Sequence, residues 1–282
     1  MSFETAFDFV PLDKRRSAVK PRTSGLTMVS DYQLGLAALA DLIEVGGNYI
    51  DIFKIATGTA RLFPKAHLLA KIELLKAHGI RPFLGGQFQE YVLHVSGIEA
   101  MDQHLAEARA VGFDIIEISD NMVPLGQGSR QRLFDMIRDH GMSPAGEIGD
   151  KRTSTSSMAI IDEVNEVLKM GAEFALIEAA ELNHGGAPNE ELILGLRAHV
   201  DISRCIFELA TPRVGSTTVQ IYAGKKFLIK TFGPDVNLGN VTPDVVIETE
   251  TTRLGLGSSG PLDFLEPEKR DQPNPFTCKI RW

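Results

Sequence analysis

Four glutamates recur at an even pitch along the middle of the chain. Glu117, Glu147, Glu178 and Glu208 follow one another at intervals of 30, 31 and 30 residues. Each sits late in a short apolar run: "FDIIEIS" (113–119), "SPAGEIG" (143–149), "EFALIEA" (173–179) and "RCIFELA" (204–210). Short runs rich in branched and aromatic residues read as strands. A pitch of roughly 30 residues is the length of one strand, one helix and their turns. The spacing therefore predicts a strand–helix unit used again and again, with a carboxylate carried to the same end of each strand.

Four further runs extend the series: "GLTMVS" (25–30), "NYIDIFKIA" (48–56), "IRPFLGG" (80–86) and "DVNLGNV" (235–241). Helical patterns lie between them. "HLLAKIELLKAHG" and "GIEAMDQHLAEARAVG" space apolar residues at i, i+3 and i+4 and end on glycine. "SMAIIDEVNEVLKMG" does the same, with serines before it as N-caps and Gly171 after it. Strands alternating with helices form parallel sheets. Eight such units fill about 250 residues in a (β/α)8 TIM barrel. The expected organisation is an N-terminal arm over 1–20, one barrel over 21–253, and an extended C-terminal arm over 254–282. A doubly wound open sheet is the alternative. It would place a glycine-rich fingerprint after the first strand, and "SDYQLG" is not one.

Charge and cysteine usage narrow the function classes. The net charge is −8. Such a chain has no basic surplus for displacing counterions from phosphates, so neither nucleic acid nor an anionic membrane is an expected partner. The cluster Lys14-Arg15-Arg16 reads as a solvated arm. No stretch approaches the roughly 18 apolar residues of a membrane span. The two cysteines, Cys205 and Cys278, form no CxxC pair. A reducing, cytoplasmic setting is expected, with Cys205 as a small core residue.

Barrel enzymes build their sites at the C-terminal ends of the strands, and the glutamates fall there. A lone glutamate at a strand end is more often a cap or an ion-pair partner than a catalyst. Four at matched positions are different, because buried carboxylates repel unless cations neutralise them. Lys54 in "DIFKIATGTA" and Lys151 in "EIGDKR" are candidate neutralisers, and Mg2+ is another. A hard cation takes oxygen ligands and keeps waters for a substrate anion. The seven histidines show no HxH or HExxH spacing, which argues against zinc. His184, in "LNHGG", is a loop histidine that could reach a substrate. Phosphates in barrels often bind near strands seven and eight. Asn237, Asn240 and Arg213, in "VNLGN" and "TPRVGS", are the candidates there.

Taken in order, these segments resemble phosphosulfolactate synthases. The family's "KPRxTG" is echoed by Lys20, Pro21, Arg22 and Gly25. Its "DYIDFVKFGWGTS" is echoed by "NYIDIFKIATGTA", its "EVGxK" by "EIGDK", and its "VNLANI" by "VNLGNV". The resemblance runs from about residue 20 to 258. It implies Mg2+-dependent addition of sulfite to phosphoenolpyruvate through an enolate-like intermediate. It implies Lys151, Lys54 and Glu147 as catalytic residues, with Glu147, Glu178 and Glu208 holding the metal. Arg22, Arg213, His184, Asn237 and Asn240 would then contact a small anionic substrate, and the protein is expected to be a homo-oligomer. Two departures stand out. Ala180 occupies the family's arginine position after strand six, and Thr57 occupies its tryptophan position. A different nucleophile, a non-catalytic relative like the plant heat-stress-associated 32-kDa protein, and an aldolase using Lys54 or Lys151 as its amine are therefore alternatives.

Overall fold

The structure is a computed structural model and describes residues 5–126, 128–149, 156–184, 187–212 and 215–257. Eight parallel strands close into a barrel: β1 (Thr27–Asp31), β2 (Ile52–Ile55), β3 (Arg81–Leu84), β4 (Ile115–Ile118), β5 (Ser143–Ile148), β6 (Phe174–Glu178), β9 (Cys205–Glu208) and β10 (Leu238–Val241). Their order around the barrel is β1-β10-β9-β6-β5-β4-β3-β2. The intervening pair, β7 (Asn183–His184) and β8 (Ala187–Pro188), is a small antiparallel ladder outside the barrel. It sits where a plain loop after the sixth strand was expected.

Helices α1 (Leu36–Gly46) and α2 (Lys65–Ala77) follow the first two strands. Two helices, α3 (Gly86–Ser96) and α4 (Met101–Val111), fill the single connection after β3, and the sequence pattern reveals only the second. The others are α5 (Ser129–Asp139), α6 (Ser157–Lys169), α7 (Glu190–His199), α8 (Thr218–Phe232) and α9 (Val246–Arg253). Ser156 caps α6 by accepting from the Ala159 amide, as its sequence suggests. Thr217 and Gln220 form a reciprocal capping box on α8.

Strand period splits the core in two. Alternate residues face helices or the barrel axis. The outer set, with Val29, Phe53, Ile116, Ile177 and Phe207 among its members, packs under the helices. The inner set is Leu26, Met28, Ile52, Phe83, Ile115, Ala145, Phe174, Leu176 and Ile206. Counting two residues on from Ile52, Ile115, Ala145, Leu176 and Ile206 lands on Lys54, Glu117, Glu147, Glu178 and Glu208. The same parity that fills the axis with apolar side chains thus sets the charged ones above them.

The N-terminal segment is not wholly a solvated arm. Arg16 is buried, pairing with Glu250 at 2.8 Å and Asp235 at 3.2 Å. The reading of Lys14-Arg15-Arg16 as a solvated cluster is corrected at this residue: its guanidinium ties the chain's start to α9 beneath the barrel. Arg15 remains exposed, bonded to Asp13. The extension beyond 257, with Cys278 and Trp282, lies outside the described residues, as do Lys151 and Arg213.

Candidate active site

A cavity of about 560 Å³ opens at the C-terminal end of the strands. Lys54, Glu117, Glu147, Glu178 and Glu208 form its charged floor. Its rim includes Tyr32, Gln33, Thr57, Gln87, Thr211 and Asn240. The segments after β1, β2 and β9, the start of α3 and the end of β10 supply these groups, which is where a barrel of this kind builds its chemistry.

Lys54 is the hub. Its Nζ donates to Glu117 Oε1 at 3.0 Å and to Glu208 Oε1 at 3.1 Å. It also lies 5.4 Å from the centre of the Phe83 ring. One oxygen each from Glu117, Glu147 and Glu208 fall within 4.8 Å of one another. Burial opposes charge on Lys54, but Glu117, Glu208 and Glu147 outweigh it and hold its pKa above the ordinary lysine value. Burial acts oppositely on Glu117. Desolvation raises its pKa, Lys54 pulls it down, and Glu147 with Glu208 push it up again, leaving it at about 7. Glu117 is therefore poised to exchange a proton near neutrality.

The backbone holds Glu117 in place. The Gly86 amide, first in α3, donates to Glu117 Oε2 at 2.6 Å. A Cβ at Gly86 would come within 2.7 Å of Ser119 Cβ and 2.9 Å of Glu117 Cγ. Only glycine lets the helix start approach so closely. Two non-glycine residues on the rim adopt the left-handed region: Thr57 at φ +52 and Asn240 at φ +54. The region suits asparagine but strains a β-branched residue. Asn240 Oδ1 accepts from Ser30 Oγ at 2.9 Å, which fixes its side chain above the barrel axis.

The remaining expected residues fall in different places. Glu147, Glu178, Glu208, Lys54 and Asn240 share the cavity. Glu117, which the expected metal set omits, belongs to the tightest carboxylate group, although its place in the 30-residue series marks it as an equal. Lys151 and Arg213 lie outside the described residues. His184 ends β7 beside β8. Ala180 lies in the 3-10 turn Ala179–Leu182 that follows β6.

Arg22 and Asn237 require correction. Arg22 is at the opposite end of the barrel, where it pairs with Asp51 just before β2 at 2.9 Å and donates to the Asn48 and Ser17 carbonyls. Asn237 Oδ1 accepts from the Leu26 amide, and its Nδ2 donates to the Ser203 and Cys205 carbonyls. Its hydrogen-bonding capacity goes to joining β1, β9 and β10 at their starts. Both residues serve the N-terminal end of the barrel, and neither lines the cavity.

A closed parallel barrel with a lysine among carboxylates at the strand ends has the layout of a barrel enzyme's active site. Comparison narrows the class. Residues 15–259 match the model of the (2R)-phospho-3-sulfolactate synthase (ComA) family, and the chain belongs to that family. It is 31% identical over 262 residues to the phosphosulfolactate synthase of Methanothermobacter thermautotrophicus, covering 89% of this chain and 95% of that one. The Methanocaldococcus jannaschii phosphosulfolactate synthase is 30% identical over 89% of this chain and 96% of its own. The Arabidopsis thaliana protein HEAT-STRESS-ASSOCIATED 32 is also similar, at 22% identity over 78% of this chain and 82% of its own. Among solved structures, the YdjI aldolase of Escherichia coli K12 shares the fold, with a TM-score of 0.54 at 10% identity over 79% of this chain and 77% of that one. Among the described residues no helix is long and apolar enough to cross a membrane.

Proposed function

We propose that this enzyme adds sulfite to phosphoenolpyruvate with Mg2+ bound at the carboxylate floor, as its family name suggests. One observation carries the reading: Glu117, Glu147 and Glu208 converge within 4.8 Å around Lys54 at the strand ends. An all-oxygen donor set fits a hard divalent cation, and Glu178 lines the same cavity. Bound there, Mg2+ would supply positive charge facing the substrate carboxylate.

The chain's own groups would do the rest. The sulfur lone pair of sulfite bonds to the terminal CH2 carbon of the enol ester. The C=C π pair shifts toward the carboxylate, and a proton then reaches the neighbouring carbon. Lys54, held cationic, sits where that developing negative charge falls and lowers its energy without reorganising. Lys151, four residues beyond Glu147, is assigned as the proton donor. Arg213 and His184 are assigned to the substrate's anionic groups, in place of the arginine that Ala180 replaces. A Schiff-base mechanism at Lys54 is disfavoured, because an amine kept protonated by three carboxylates is a poor nucleophile.

The test is direct. Purified protein is incubated with phosphoenolpyruvate, sulfite and Mg2+, and the product is read by mass. Phosphosulfolactate is expected, with most of the rate lost in Lys151→Ala. No product from the wild type would refute the proposed substrates.

A further inference from the structure

Beneath the cavity rim lies a second pair of buried charges. Lys71 of α2 and Asp31 at the end of β1 are both almost wholly inaccessible, and Lys71 Nζ donates to Asp31 Oδ2. Lys71 also sits 4.7 Å from the centre of the Phe63 ring. Leu68, Lys71, Ile72 and Leu75 form the buried face of the helix, so a lysine holds a core position. Burying such a pair is expensive, and hydrophobic residues of like volume often serve stability as well or better. What the pair does therefore has to be sought in what Asp31 holds.

Asp31 anchors two loops at once. Its Oδ1 accepts from the Gln33 amide at 2.9 Å and the Leu34 amide at 2.8 Å. Its carbonyl accepts from the Ala56 amide at 2.9 Å. The first pair of bonds folds the loop that sets Tyr32 and Gln33 on the cavity rim, and the last fixes the entry to strained Thr57. Lys71 is not among the residues that line the cavity. Its contact with Oδ2 leaves Oδ1 turned toward the loop amides.

We propose that Lys71 is a positioning residue, acting through Asp31 to set the loop after β1 as a substrate-recognising rim, with Tyr32 and Gln33 contacting the substrate part farthest from the carboxylate floor. This rests on the reading of the cavity as the catalytic site. Substrate selectivity would then depend on a side chain that never meets substrate.

The test uses the full chain and two readouts. Lys71→Met keeps the chain length and removes the donor. Hydrogen exchange of peptides covering residues 31–36 should quicken in that variant, while peptides from β6 and β9 stay protected. KM for phosphoenolpyruvate should rise about tenfold or more while kcat moves less than about threefold, since uniform binding is lost and the charged floor is untouched. Lys71→Arg keeps a cationic donor at the position, and it should hold both readouts nearer to wild type than Lys71→Met does. Unchanged exchange in Lys71→Met overturns the proposal. So does a quickened loop with unchanged KM, or a Lys71→Arg variant no better than Lys71→Met. Should the wild type not turn over these substrates, the proposed function falls, and the exchange measurement alone decides whether Lys71 braces the loop.

Discussion

At the N-terminal end of the barrel, Arg22 pairs with Asp51, Arg16 with Glu250 and Asp235, and Arg253 donates to the Pro234, Val236 and Leu26 carbonyls. At the C-terminal end, Lys54 is shared by Glu117 and Glu208, with Glu147 alongside. Both clusters are buried, and their stoichiometries differ. Below, Arg16 and Arg22 pair with acids while Arg253 is held by backbone carbonyls. Above, Lys54 is the one cation among the described residues lining the cavity, and it faces three converging carboxylates. The lower set joins distant segments of the chain and holds the fold. The upper set holds more carboxylates than described cations, and it lines a cavity.

The contrast can be broken first at its strongest joint. Arg22→Met leaves Asp51 buried and unpaired, so unfolding free energy should fall by about 3–5 kcal/mol in urea titrations. The kcat of the folded fraction should stay near wild type. A large loss of kcat at retained stability would place Arg22 back in the chemistry. Lys54→Met should do the reverse, cutting kcat by roughly 10²–10³-fold, as when one preorganised electrostatic group is removed. If kcat survives that change, the lysine is a mere neutraliser.

A smaller effect separates the two ends by pH. Glu117 has its folded pKa raised from 4.5 to about 7, so the folded protein binds more protons between those values. Its contribution to stability is fully present below about 4.5 and is lost as pH rises through about 7. In metal-free protein the loss should reach no more than about 3 kcal/mol across that window. Glu117→Gln should flatten this part of the urea-derived stability profile, and Asp51→Asn should not. Last, Glu147→Gln or Glu208→Gln should weaken Mg2+ binding about tenfold or more in calorimetry, whereas Asp235→Asn should leave it unchanged. Equal weakening at both ends would dissolve the distinction.

Much of this was legible in the residue order. The 30-residue pitch and the period-2 alternation together place the glutamates at the same end of successive parallel strands, because each strand–helix unit returns the chain in the same direction. Lys54 follows from the same parity. What could not be read was which end an isolated polar residue serves. Arg22 and Asn237 lie just before strands, and their partners, Asp51, Leu26 and Ser203, come from distant sequence. The omission of Glu117 was avoidable, since the pitch treats it like the others. Lys71 was also within reach, because it interrupts an otherwise apolar face at i, i+3 and i+4 spacing. Helix α3 was harder: its stretch is mixed in character, and only tertiary packing settles it.

The clasp between Arg16 and Glu250 spans 234 residues of chain. It also sets a schedule for synthesis. A nascent chain that has emerged only as far as β9 carries Arg16 without either of its acids, and it lacks the strand that would meet β1. Its barrel stays open along one seam, with strand edges and buried-type charge exposed to the cell. Closure of this barrel therefore waits until β10 and α9 have been made, and a chain interrupted before them keeps the seam open.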